Sequence, residues 1–129
     1  MAKKYYKRTI GDKGERKSRR YLKKKGYKIL EKNYTLNFGE IDIIAETNTR
    51  IVFVEVKTRQ ESPMYRPALA VNYEKRKKII RVASYYLKCN PTDKEIRFDI
   101  IEVFHKDKKI TSINHIKNAF DRRGNYVRL

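Results

Sequence analysis

The chain has 129 residues, enough for one domain with a modest core. Its 33 Lys and Arg stand against 15 Asp and Glu, and the formal charge of +18 draws polyanions and excludes strongly cationic partners. A single Cys excludes an internal disulfide and a cysteine-based zinc site, and no apolar run nears the ~20 residues that a membrane-spanning helix needs.

The basic charge leads the chain: Met1 to Lys32 hold 14 Lys and Arg and 3 Asp and Glu, a net of 14 − 3 = +11. Residues 1–8 read as a flexible basic arm, residues 9–120 as the domain and residues 121–129 as a C-terminal tail. No apolar segment follows the arm, so no secretory signal is expected and the location expected is cytoplasmic. A first helix is predicted from Asp12 to Lys25, with Asp12 and Glu15 spaced as a capping box and Gly26 as the left-handed stop. Gly14, Ser18, Tyr21, Leu22 and Lys25 share one face of it.

Three strands follow, Tyr27 to Leu36, Glu40 to Glu46 and Ile51 to Lys57. Asn48 and Thr49 supply the turn between the last two. Ser62 to Pro67 is a loop. A second helix starts at an Asn72 cap, repeats Ile79, Ile80, Ala83, Tyr86 and Leu87 at helical spacing, and ends at Asn90 and Pro91. Cys89 on this helix reads as a small apolar filler. Glu95 to Phe104 and Lys109 to Ile116 complete the order α-β-β-β-α-β-β, an α/β fold with a mixed sheet flanked by helices.

The segment GEIDIIAETNTRIVFVEVKTR, Gly39 to Arg59, holds the chemistry. A turn centred on Asn48 and Thr49 sets Asp42 opposite Glu55, Ile44 opposite Phe53 and Glu40 opposite Lys57. Ile41 then meets Val56, Ile43 meets Val54 and Ala45 meets Val52, an apolar face throughout. Two carboxylates opposite one another at ~4 Å repel by ~4 kcal/mol at an effective dielectric of 20. A shared proton, the Lys57 ammonium or a divalent cation would relieve that repulsion. Hard cations such as Mg²⁺ prefer carboxylate oxygens, and an ammonium on the same face can steady charge growing on a phosphate. A Glu55–Lys57–Asp42 ion cluster on a half-exposed sheet face is the other reading. His105 and His115 have no metal-ligand spacing, and Asp99 reads as a sheet residue with Arg97 as its partner.

The words GDKGE, KNY, GEIDIIA, FVEVKTR and RFDII occur in the order of a known pattern. The chain resembles the YraN-like family of small bacterial proteins within the PD-(D/E)xK, restriction-endonuclease-like superfamily, and is similar to archaeal Holliday junction resolvases. Ile41 stands where the superfamily motif has proline, which is not a ligand. The resemblance implies a restriction-endonuclease-like core and a metal-dependent DNA endonuclease. Asp42 and Glu55, with the Val56 carbonyl, would hold Mg²⁺ or Mn²⁺, Glu15 would complete the shell, and Lys57 would assist the attacking water. Nucleic acid is the expected partner, with DNA ahead of RNA and no membrane. Arg16, Arg19, Arg20 and Lys23 on the first helix, with Arg59, Lys75 and Arg76, are the candidate phosphate contacts. Junction DNA as substrate would require a two-fold homodimer. A non-catalytic nucleic-acid-binding module on the same fold, or an RNA- or ribosome-associated basic protein, are the alternatives.

Overall fold

A computed structural model describes residues 9–62 and 71–127. The expected basic arm, including Tyr5 and Tyr6, and all of the expected loop beyond Ser62 lie outside the described residues. The elements are α1 (Ile10–Lys24), β1 (Lys28–Leu36), β2 (Gly39–Glu46), β3 (Arg50–Gln60), α2 (Tyr73–Cys89), β4 (Glu95–Lys106) and β5 (Lys109–Phe120). The sequence reading placed each of them in this order, but ended β3 three residues early and β5 four residues early.

One five-stranded sheet carries the order β1-β2-β3-β4-β5. Neighbours are antiparallel except β3 and β4, which run parallel and are linked through α2. A parallel pair needs such a crossover because no tight turn can join its ends. The faces of the sheet bury two cores. Ile44, Phe53, Phe98 and Ile100 pack with Ile79, Val82 and Tyr86 of α2. Ile43, Val52, Val54, Ile101 and Val103 pack with Leu22 of α1.

The first helix is capped differently from expectation. Thr9 is the N-cap, and its side chain accepts the Asp12 N–H at 3.1 Å while the Asp12 carboxylate accepts the Thr9 N–H at 3.4 Å. Asp12 is therefore the third helical residue of the box, and Glu15 takes no part in capping. Thr9 wins because its extended backbone, φ −73° and ψ 163°, suits a cap. Gly26, with φ 91°, takes the left-handed position after α1 as expected. Gly14 brings α1 onto β3: a Cβ there would lie 2.4 Å from the Thr58 hydroxyl.

Asn72 caps α2 by accepting the Lys75 N–H at 2.9 Å. Cys89, expected as a filler, is exposed, because it falls on the last residue of α2, beyond the buried stripe that ends at Tyr86. Residues 121–127 fold back on the domain. Tyr126 bridges to Phe120, its hydroxyl bonds the Val71 carbonyl, and its ring lies 3.9 Å beneath the Arg76 guanidinium.

The β2–β3 hairpin has the expected register at Ile43/Val54, Ile44/Phe53 and Ala45/Val52. Beyond that point the expected pairs Asp42/Glu55, Ile41/Val56 and Glu40/Lys57 do not form, and the ladder ends. From there β2 pairs only with β1, and β3 only with β4. Ile41 also leaves the face assigned to it. It packs in the α2-side core while Ile43, two residues on, packs on the α1 side. Strict alternation would put both on one face, so the strand turns over at Asp42. Its neighbour across β1 is Asn33, at φ 50° between the pairs Lys32/Ile43 and Tyr34/Ile41. Asn accepts this left-handed backbone more readily than most side chains. The sheet is split at Asp42, where one strand distortion meets another.

Candidate active site

The split collects side chains from both faces. Asp42 and Glu55 are 7% and 4% exposed. Where a ladder bond would run, the Asp42 carboxylate accepts the Val56 N–H at 2.8 Å. The backbone donor that the ladder leaves unpaired thus holds the carboxylate in place. Asp42 lies close enough to Glu55 for its charge to act on that carboxyl. Burial, then the charge of Asp42, push Glu55 up to about 8, against the opposing charges of Lys75 and Lys57.

Lys75 comes from the first turn of α2, with its Nζ 3.8 Å from Glu55 Oε2. Lys57 is half-buried on β3 two residues after Glu55, on the same face. Glu15 reaches toward the split from α1. Burial, then the charge of Asp42, raise its carboxyl to about 7, against the pull of Arg19. The expected set therefore converges from α1, β2 and β3, and α2 adds Lys75 as a closer cation. Among the described residues no group of three His, Cys, Asp or Glu stands where it could hold a metal ion. The close pair is Asp42 and Glu55, and Glu15 feels its charge without joining it.

The other candidates separate. On α1 a helical pitch places Glu15, Arg19 and Lys23 on one flank, and Arg20 on the other. Arg16 and Arg20 line a hollow beside β5. Arg59, near the end of β3, lies close enough to Glu102 for its charge to act on that carboxyl. Arg76 does not face solvent. It is 8% exposed and donates from Nε to the Gly124 carbonyl at 2.7 Å and from Nη1 to the Val71 carbonyl. Its guanidinium holds residues 121–127 against α2 and presents no free fork to a phosphate.

Sequence reading passed over Glu102. It is fully buried, lies beside Lys57 in the parallel register, and accepts Asn114 Nδ2 at 2.9 Å. Burial raises its carboxyl. The signal was available, since Glu102 interrupts the apolar run DIIEVF as Asp42 and Glu55 interrupt theirs. Asp99 has Arg97 as its partner, as expected, and also His115 Nε2 at 2.7 Å and the Asn118 N–H at 2.9 Å.

Fold and site together define a small α/β domain with a buried carboxylate pair at a split in its sheet. By sequence the chain belongs to the Uncharacterised protein family UPF0102, whose model matches residues 14–103. This is the YraN-like family that its motifs indicate. It is 54% identical over 111 residues to a UPF0102 protein of Clostridioides difficile (strain 630), covering 85% of this chain and 95% of that one. It is 48% identical to a UPF0102 protein of Caldanaerobacter subterraneus subsp. tengcongensis, covering 92% and 99%. A third relative, from Alkaliphilus oremlandii, is 50% identical over 88% of this chain and 98% of its own.

Proposed function

We propose that this protein is a metal-dependent endonuclease that hydrolyses phosphodiester bonds in DNA at the Asp42–Glu55 pair. One observation carries the reading: two carboxylates from adjacent strands are buried side by side where the sheet splits, with lysines from two elements beside them. A fold that served only stability would gain by replacing one of them with an apolar residue.

The donor set suits a hard divalent cation. Its oxygens are carboxylate, and both groups lie where the strands part. Asp42 and Glu55 would hold Mg²⁺ or Mn²⁺, with Glu15 and the Val56 carbonyl as further ligands. Such an ion supplies a lowered pKa for a bound water and charge stabilisation on a phosphate. The remaining work falls to the chain. The Val56 N–H fixes the Asp42 rotamer, so the carboxylate need not reorganise. Lys75 and Lys57 set positive charge beside Glu55, where they can bind a phosphate oxygen and offset charge developing on it. Burial and the charge of Asp42 raise the Glu15 carboxyl to about 7, and a cation beside it would favour its ionised form.

The second reading is a nucleic-acid-binding module without catalysis. It is favoured by the lack, among the described residues, of a third acid close enough to complete a metal site. Cleavage of labelled single strands, duplexes, flaps and four-way junctions separates the two, with wild type and Glu55→Ala in Mg²⁺, Mn²⁺ or EDTA. Metal-dependent cutting by wild type and none by Glu55→Ala is expected. No cutting of any substrate, with equal DNA binding by both proteins, would leave the binding module.

A further inference from the structure

The flank of α1 opposite Glu15 forms one wall of a groove whose other wall is the edge strand β5. Its deeper part is a hollow of about 350 Å³ lined by Lys17, Arg20, Tyr21, Lys24, Thr111 and Ser112, among others. An adjoining hollow of about 300 Å³ extends it toward the start of α1, where Lys13 and Arg16 join Lys17 and Arg20. Among the described residues no acidic side chain lines either hollow. Lys13, Lys17, Arg20 and Lys24 are exposed and recur once per helical turn, about every 5 Å along the axis. A linear array of cations is complementary to a linear polyanion.

The wall is also rigid where a ligand would meet it. Tyr21 OH bonds His115 Nδ1 at 3.0 Å, and His115 Nε2 bonds the fully buried Asp99 at 2.7 Å. The imidazole meets the Tyr21 ring edge-on, with centroids 5.4 Å apart, which leaves the ring oriented before any ligand arrives. An aromatic ring among cations is the composition that binds a nucleic-acid strand by stacking and charge. A second copy of this chain would bring +18 of its own to the groove and is disfavoured.

We propose that the α1–β5 groove is a second nucleic-acid contact, which anchors the backbone of a strand on the far side of α1 from the carboxylate pair. Lys17, Arg20 and Lys24 meet its phosphates, Thr111 and Ser112 offer hydroxyl donors, and Tyr21 offers a ring to a base. That the polyanion is nucleic acid rests on the function proposed above. The position of the contact rests on the groove alone.

The test is anisotropy of labelled single-stranded and duplex DNA in EDTA over a range of salt. Wild type is compared with a groove variant (Lys17→Gln, Arg20→Gln, Lys24→Gln), with Glu55→Ala, and with a charge-matched control (Lys28→Gln, Lys78→Gln, Lys88→Gln). The groove variant is expected to bind about ten-fold more weakly, with a log-log salt slope shallower by about 2.7 if three duplex contacts are lost. Glu55→Ala, which removes a negative charge, should bind no more weakly than wild type, and the control should lose less than the groove variant. Titration of wild type with an oligonucleotide should shift the Thr111 and Ser112 amide resonances. If the groove variant binds like the control and those amides stay still, the groove is overturned while cleavage at Asp42–Glu55 is untouched. No DNA binding by wild type would overturn both. Capture by anionic vesicles but not by oligonucleotides would overturn the occupant assigned to the groove.

Discussion

Glu55 couples the site to pH. Its folded carboxyl keeps a proton up to about pH 8, while the ordinary value in an unfolded chain is 4.5. Between those values the folded state binds more protons, so this group's stabilisation is complete below the lower value and is lost as pH rises through the upper one. In EDTA, thermal unfolding of wild type is expected at lower temperature at about pH 8 than at about pH 5, and Glu55→Gln should flatten that trend. If both proteins show the same pH dependence, the Glu55 carboxyl is not the raised group. Adding Mg²⁺ below pH 8 should release protons, measurable as a buffer-dependent heat in calorimetry. Asp99 works in the opposite sense. Bonds from His115, Arg97 and the Asn118 N–H overcome its burial and hold its carboxyl below the usual range. Its stabilisation is present above the ordinary carboxylate pKa and is lost as pH falls through the folded value. Asp99→Ala should cost about 3 kcal/mol in denaturant unfolding at neutral pH, because half-buried Arg97 loses its carboxylate partner.

At the scale of elements, the close approach of α1 to β3 sets where Glu15 lies. Gly14→Ala would drive a methyl group into the Thr58 hydroxyl, at a cost of about 1–3 kcal/mol, and would tilt Glu15 away from Asp42. Thr58→Ala added to it should restore much of that loss, and a double-mutant cycle by denaturant melts checks the coupling. The hairpin shows what the chain itself made legible. Acids interrupting Val- and Ile-rich runs marked Asp42 and Glu55, and the apolar face fixed the register at Ile43, Ile44 and Ala45. The split was not legible. It depends on Asn33, a residue of another strand, taking a left-handed backbone opposite Asp42, and no period within β2 records that. Thr9 was missed as a cap because Asp12 offers a similar pattern three residues on. Arg76 is a candidate phosphate contact in the sequence, whereas its partners Gly124 and Val71 are set by the fold.

For the whole molecule, the formal charge of +18 favours polyanions as partners. If about six phosphates are met, affinity for duplex DNA should fall with a log-log salt slope near −5, and filter binding across a salt series measures it. No helix among the described residues is long and apolar enough to cross a membrane. A four-way junction as substrate needs two sites related by a two-fold axis, so sedimentation with junction DNA should find two chains per junction. One chain per junction would confine the proposed activity to single incisions.

Strand order follows chain order throughout the sheet, and this bears on how the molecule is made. Every neighbouring pair but one is joined by a turn, so β1, β2 and β3 can assemble as a meander as soon as they leave the ribosome. Asp42 and Glu55 would then meet before α2, with Lys75, has been synthesised. At that stage they are still wet, and two carboxylates ~4 Å apart in water repel by only ~1 kcal/mol. The parallel joint to β4 closes later and brings the burial with it. The costly arrangement is thus assembled while it is cheap, and is sealed only once its counter-charge has arrived.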